Sequence, residues 1–218
     1  PTRSELLSGS MAYLHGERLG AALVDAGDVN GDGFADLLVG APERALRNPA
    51  DGALIDGYGA ALLYSGGLKG LRHSWTLAEF GILQRWQGGG AVAGACDVNA
   101  DGYSDILVSS ASAGSQAVYL FFGAARGPSS GAAQVFRFAG SALTPSGIVN
   151  HQVHCAGDVN GDGYADILVG HGQHAARRGA FVYYGSDVGP APVFTWTFSF
   201  TDSEAGFADA PGYVVAPA

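Results

Sequence analysis

Three short apolar runs, each entered from an acidic turn, set the rhythm of the chain: Leu37-Leu38-Val39, Ile106-Leu107-Val108 and Ile167-Leu168-Val169. Around each run the same four strand-length segments recur. A lead-in stretch precedes the turn (Gly20 to Val29, Gly89 to Val98, Val149 to Val159), and the solid apolar run follows it. Next comes a Gly- or Ala-led aromatic run (Ala60 to Tyr64, Ala117 to Phe122, Ala180 to Tyr184). A fourth segment follows a Gly-rich turn (Trp75 to Leu77, Val135 to Phe138, Val193 to Phe198). β-Branched and aromatic residues fill these segments, and Gly, Pro, Asp or Ser bound them, which marks strands. No amphipathic helical period is present. Runs that are apolar at every position belong in strands covered on both faces.

Four short strands per unit predict the blade of a β-propeller, and the recurrence marks a repeat architecture. The expected chain is all-β, a single partial propeller over 1–218, with blades at 19–80, 86–140 and 148–200. Residues 1–18 read as the end of a preceding blade and 201–218 as the first strand of a following one. Ala218 stands to Ala156 as the start of one loop stands to the next, so the chain stops where a fourth loop is due. The expectation is a window of a longer propeller, or an arc that other chains complete.

The acidic turns are one nine-residue loop written three times: Asp28 to Asp36, Asp97 to Asp105 and Asp158 to Asp166. Oxygen-bearing side chains stand at positions 1, 3, 5 and 9, and Gly stands at position 6. Hard Ca²⁺ takes six to eight oxygens, and alternate residues of a tight turn can aim several inward. The Gly permits the reversal, and the residue after it can offer a backbone carbonyl. Asp, Asn and Gly also dominate ordinary turns, so one such loop alone says little. Three copies with one oxygen pattern say calcium. EF-hand and dockerin loops run twelve residues to their last ligand and sit between helices. Here position 12 is Val39, Val108 or Val169, and strand follows.

Charge sharpens this picture. The chain of 218 residues has 47% apolar and only 14% charged residues, with a formal charge of −9. The loops hold nine of the twenty acids, and without them eleven acids balance eleven bases. Acidity therefore resides at the loops. No basic stripe is present for nucleic acid. No run of eighteen apolar residues spans a membrane, and no signal peptide is visible.

The pattern Gly-Asp-Val-Asn-Gly-Asp-Gly-Tyr-Ala-Asp-Ile-Leu-Val-Gly (157–170), with Gly40-Ala41-Pro42 in the first copy, resembles the FG-GAP repeat of integrin α subunits and their bacterial relatives. That resemblance implies a β-propeller, commonly seven-bladed, with calcium in the loop between the first two strands of a blade. It implies ligand roles for Asp28, Asn30, Asp32 and Asp36, with Phe34 by its carbonyl. The second set is Asp97, Asn99, Asp101, Tyr103 and Asp105, and the third is Asp158, Asn160, Asp162, Tyr164 and Asp166. Ala100 replaces Gly at loop position 4, and Cys96 replaces the Gly before the first Asp; neither removes a ligand. Ser109-Ser110-Ala111 and Gly170-His171-Gly172 replace Gly-Ala-Pro, and no Arg-Gly-Asp occurs.

Cys96 and Cys155 lie one and three residues ahead of a loop, offsets of one parity. Both side chains would then point the same way round the ring, which favours two buried thiols over a disulfide. His151, His154, His171 and His174 with Cys155 form the weak alternative of a transition-metal site. No Gly-x-Ser-x-Gly, Walker loop or dinucleotide fingerprint is present, so no enzyme is expected. Trp75, Trp86 and Trp196 suit blade packing better than sugar stacking. The loops between second and third strands differ most: Pro42 to Gly59 is long and charged, His171 to Arg178 carries His and Arg, and Gly114-Ser115 makes a minimal turn. In the related propellers they lie opposite the calcium, where ligands bind, although plain loop drift explains them equally well. The expected function is an extracellular adhesion or protein-binding module with structural calcium and a protein or glycan ligand. The alternatives are a lectin-like propeller and a non-catalytic accessory domain of a secreted hydrolase.

Overall fold

The structure, a computed structural model, describes residues 18–47, 54–55, 57–77, 88–112, 115–129, 131–138, 152–171, 178–191 and 196–200. The expected partial blades at 1–18 and 201–218 lie outside these residues except for Arg18. The first unit runs β1 (Ala22–Gly27), β2 (Asp36–Ala41), a small ribbon of β3 (Leu46–Arg47) with β4 (Leu54–Ile55), then β5 (Ala60–Ser65) and β6 (Arg72–Leu77). The second runs β7 (Gly88–Cys96), β8 (Asp105–Ser112), β9 (Ser115–Phe121) and β10 (Gln134–Phe138). The third runs β11 (Gln152–Gly157), β12 (Asp166–His171), β13 (Arg178–Tyr183) and β14 (Trp196–Phe200). Each unit is an antiparallel four-stranded meander, in the order β1-β2-β5-β6, β7-β8-β9-β10 and β11-β12-β13-β14. These are the blades of a β-propeller. The ribbon β3–β4 interrupts what the sequence presented as a plain loop, and the fourth strands begin at Arg72 and Trp196. The middle hairpin pairs Ser112 with Ser115, so Ser115 opens β9 instead of sitting in the turn.

The unbroken apolar runs follow from the stacking. Along β8, Ile106 and Val108 enter one core with Leu38, Leu63 and Phe121, between the first two blades. Leu107, between them, faces the other way into a core with Leu120, Phe136, Val153 and Ile167, shared with the third blade. Pleating sends alternate side chains to opposite faces, and both faces here are covered. Ile106, Leu107 and Val108 are all fully buried. Each such side chain contributes about 1.5–3 kcal/mol by leaving water. Trp75 meets Phe121 edge-on at 5.3 Å, so it packs between blades while its half-buried ring keeps some open surface. Trp86 lies outside the described residues. The inner strands approach closely: a Cβ on Gly94 would stand 2.5 Å from the Ala26 backbone.

The expectation of two free thiols is overturned. Cys96 and Cys155 form a disulfide that joins β7 to β11, with Cα atoms 5.5 Å apart. The parity argument failed at a bulge. Gly27 and Gly157, just before their loops, take left-handed φ of 70° and 71°. At the equivalent place the second blade has Cys96, and the left-handed residue is instead Ala95, at φ 58°. The register of β7 on β8 slips between Ala93 and Cys96. Moving the bulge by one residue turns Cys96 onto the face that meets the third blade, where it is fully buried.

Candidate metal centres

The three loops join first to second strands at one end of the blades. Each is held by the same hydrogen bonds. The carboxylate of Asp28 accepts from the backbone N–H of Asp32 (3.0 Å) and of Gly33 (2.8 Å). Asn30 Oδ1 accepts from the same Asp32 N–H at 2.9 Å, so positions 1 and 3 flank one point. Asp32 Oδ1 accepts from Phe34 N–H (3.0 Å), and its Oδ2 from the Asn30 amide (3.0 Å). The second loop repeats this with Asp97, Asn99, Asp101 and Tyr103. The third repeats it with Asp158, Asn160, Asp162 and Tyr164. The Gly163, Gly161 and Asp162 N–H groups together hold the Asp158 carboxyl below its ordinary range.

Position 9 behaves differently, and its sequence pattern carried no sign of that. Asp36, Asp105 and Asp166 are buried while positions 3 and 5 lie toward solvent. Each buried carboxylate accepts two backbone N–H groups. Asp105 takes Val98 at 2.8 Å from its own loop and Gly123 at 2.9 Å from the turn between third and fourth strands. Asp36 takes Val29 and Gly66, and Asp166 takes Val159 and Gly185. Glycine is required at that turn: a Cβ on Gly123 would overlap the Ser104 carbonyl, and Gly66 and Gly185 meet Ala35 and Ala165 likewise. Burial is the main force raising these carboxyls, and the loop's other two aspartates add to it. Asp105 is pushed up to about 7. The loops are also chained to one another. Ser104 N–H donates to the Asp28 carbonyl and Ala124 N–H to Val29; one blade on, Ala165 donates to Asp97 and Ser186 to Val98. Val29 and Val98 are fully buried beneath those turns, whereas Val159 is 56% exposed.

The donor set fits a hard cation in kind. It is all oxygen, and its carboxylates lie close enough to repel. Among the described residues no three acidic, His or Cys side chains converge as a finished cage. Carboxylate oxygens keep lone pairs beyond those the loop N–H groups occupy. Phe34, Tyr103 and Tyr164 follow the loop Gly in each copy, so their carbonyls remain candidates by position. The His and Cys alternative fares worse. Cys155 is in the disulfide, and His151 and His174 lie outside the described residues. His154 Nε2 is buried without a hydrogen-bond partner, and burial lowers its pKa.

At the opposite ends of the sheets lie the connections of second to third strands. In the first blade Arg18 pairs with Glu43 at 3.3 Å. The Arg44 carbonyl closes the loop by accepting Tyr58 and Gly59 N–H groups. Asp51, Asp56 and most of His171 to Arg178 fall outside the described residues.

Comparison with known proteins agrees with this geometry. Residues 97–169 match the FG-GAP-like repeat, and residues 21–54 match the FG-GAP repeat. The chain is an FG-GAP, integrin-α-like repeat domain. Integrin alpha-IIb of Mus musculus is 34% identical over 165 residues, covering 72% of this chain and 15% of its own. Integrin alpha-PS5 of Drosophila melanogaster is 29% identical over 162 residues, again 72% of this chain and 15% of its own. Phosphatidylinositol-glycan-specific phospholipase D of Bos taurus is 33% identical over 170 residues, covering 70% of this chain and 18% of its own. The chain thus spans under a fifth of the length of these relatives.

Proposed function

We propose that this chain is a calcium-stabilised propeller module for extracellular adhesion or protein binding, in which calcium is structural and catalysis has no part. The observation that carries the reading is the threefold recurrence of one oxygen-lined loop whose carboxylates repel each other across positions 1, 5 and 9. A Ca²⁺ ion would remove that repulsion in each loop. Its ligands would be Asp28, Asn30, Asp32, the Phe34 carbonyl and Asp36 in the first blade, with the corresponding five in the others. Integrin relatives and a disulfide between blades both support a place outside the cell, where thiols are oxidised and calcium is plentiful. A protein ligand would then meet the loops opposite the calcium, which vary on a rigid scaffold.

The test is thermal unfolding in excess calcium and in excess EGTA. At tenfold Kd each site adds about 1.4 kcal/mol, so losing three together lowers the midpoint by on the order of ten degrees. Ca²⁺ restores the midpoint and Mg²⁺ does so poorly. An unchanged melt would show the loops to be metal-free turns. The phospholipase D relative favours a second reading, an accessory domain beside a secreted hydrolase. Deleting the segment from its parent chain separates the two: a hydrolase would lose targeting while its intrinsic turnover survives.

A further inference from the structure

A groove of about 550 Å³ runs between the first and second blades on the loop face. Its walls are two copies of one turn. Gly66 to Gly70 closes with Gly70 N–H donating to the Gly67 carbonyl at 2.9 Å, and Gly123 to Gly127 closes the same way at 2.7 Å. Lys69 and Arg126 hold the same position in the two turns, and Val188 holds it in the third blade. Arg72 joins them along the groove, against one carboxylate, Asp32. Three of the chain's eleven bases therefore gather here, although the chain as a whole is at −9. Among the described residues the one ion pair is Arg18–Glu43, so none of these three bases is paired there.

The rest of the lining is chemically specific. Trp75 closes one side, with Leu68 at 94% exposure and Phe34 at 37% beside it. Ser65 Oγ donates to Ser74 Oγ at 2.8 Å and Ser74 Oγ to the Leu63 carbonyl at 3.2 Å, so the two hydroxyls offer oxygen lone pairs to the groove. Arg and Lys recognise carboxylate and sulfate through charge-assisted hydrogen bonds. Hydroxyl groups suit sugar hydroxyls, and the apolar surfaces suit the C–H faces of a pyranose. The volume lies within the range of ligand sites, about 300–1,000 Å³. We infer that this groove binds an acidic saccharide, with its sulfate or carboxylate groups on Lys69, Arg72 and Arg126. Asn30, Asp32 and Phe34 of the first loop share the lining, but the inference stands on the three bases and does not need that loop to hold calcium.

Calorimetric titration of the full chain tests it, using sulfated dextran oligosaccharides, glucuronate oligosaccharides, neutral dextran and poly-glutamate. Binding of either acidic saccharide, with neutral dextran silent, supports the site, and the two arms tell which acid it reads. Lys69→Glu with Arg126→Glu should weaken that binding at least tenfold. Both positions are exposed turn residues, and an unchanged thermal midpoint confirms the fold. Arg137→Glu, exposed on β10 and away from the groove, should change affinity less than twofold. Equal binding by the double variant, equal binding of neutral dextran, or no binding of either acidic saccharide would overturn the inference. Poly-glutamate binding as tightly as the saccharides would overturn it in favour of an acidic polypeptide.

Discussion

Replacing Asp105 by Ala removes two acceptors from the interior of the second blade. The carboxylate is fully buried and takes the Val98 N–H at 2.8 Å and the Gly123 N–H at 2.9 Å. Ala offers neither N–H a partner, and each orphaned buried donor costs about 1–3 kcal/mol. The carboxylate is itself unwelcome there, since burial pushes it up to about 7, so its removal offsets part of that loss. The expected net loss is roughly 2–4 kcal/mol, or a midpoint lower by about 4–16 °C for a chain of this size. The assay is urea and thermal unfolding at pH 7.5 in excess EGTA, with Asp101→Ala alongside. Asp101 lies toward solvent, and its loss in metal-free protein should cost under about 1 kcal/mol. A gap between the two variants in EGTA shows that position 9 staples the loop to the neighbouring turn without metal. Equal effects would refute that role and leave Asp105 as a cation ligand alone.

Removing the disulfide by Cys96→Ser with Cys155→Ser opens a closure of 59 residues, and chain entropy sets the loss at about 4 kcal/mol by urea unfolding. Burial lowers the His154 pKa in the fold from its ordinary 6.5. Below pH 6.5 the unfolded chain therefore binds more protons than the native one, and stability falls as pH drops. The stability difference between His154→Leu and the parent should grow in the variant's favour from pH 6.5 downward, and parallel pH profiles would refute this. Ala100 sits at φ 55° where the other loops have Gly31 and Gly161 at 71° and 76°. Ala100→Gly should relieve left-handed strain and raise stability by about 1 kcal/mol, measured by the same unfolding.

Strands and loops were legible because each is written locally. The runs around Leu38 and Leu107 declare strands buried on both faces, with Leu168 half-buried in the third blade, and three aspartate loops of one internal pattern declare blades. What escaped depends on one residue acting through space. Cys96 differs from Gly27 and Gly157 in one side chain, yet that moves the bulge to Ala95 and reverses the direction of the thiol. The second task of Asp36, Asp105 and Asp166 needs the partner turn, and Gly66 lies thirty residues from Asp36. The groove needs two turns from different blades. Its one sequence signal was the aligned cation of Gly66 to Gly70 and Gly123 to Gly127, visible only when the repeats are superposed.

The hydrogen bonds between successive loops run in one direction. N–H groups of the later blade meet carbonyls of the earlier one, at Ser104 to Asp28 and again at Ala165 to Asp97. Such a contact is head-to-tail, and its two surfaces differ. At its loop a blade therefore carries acceptors on one side and donors on the other, and both described junctions use the same match. Duplication of one unit would repeat this loop contact at both of its new junctions. The disulfide between β7 and β11 stays particular to one junction, so the loop contact is the part of the interface that is common to the series.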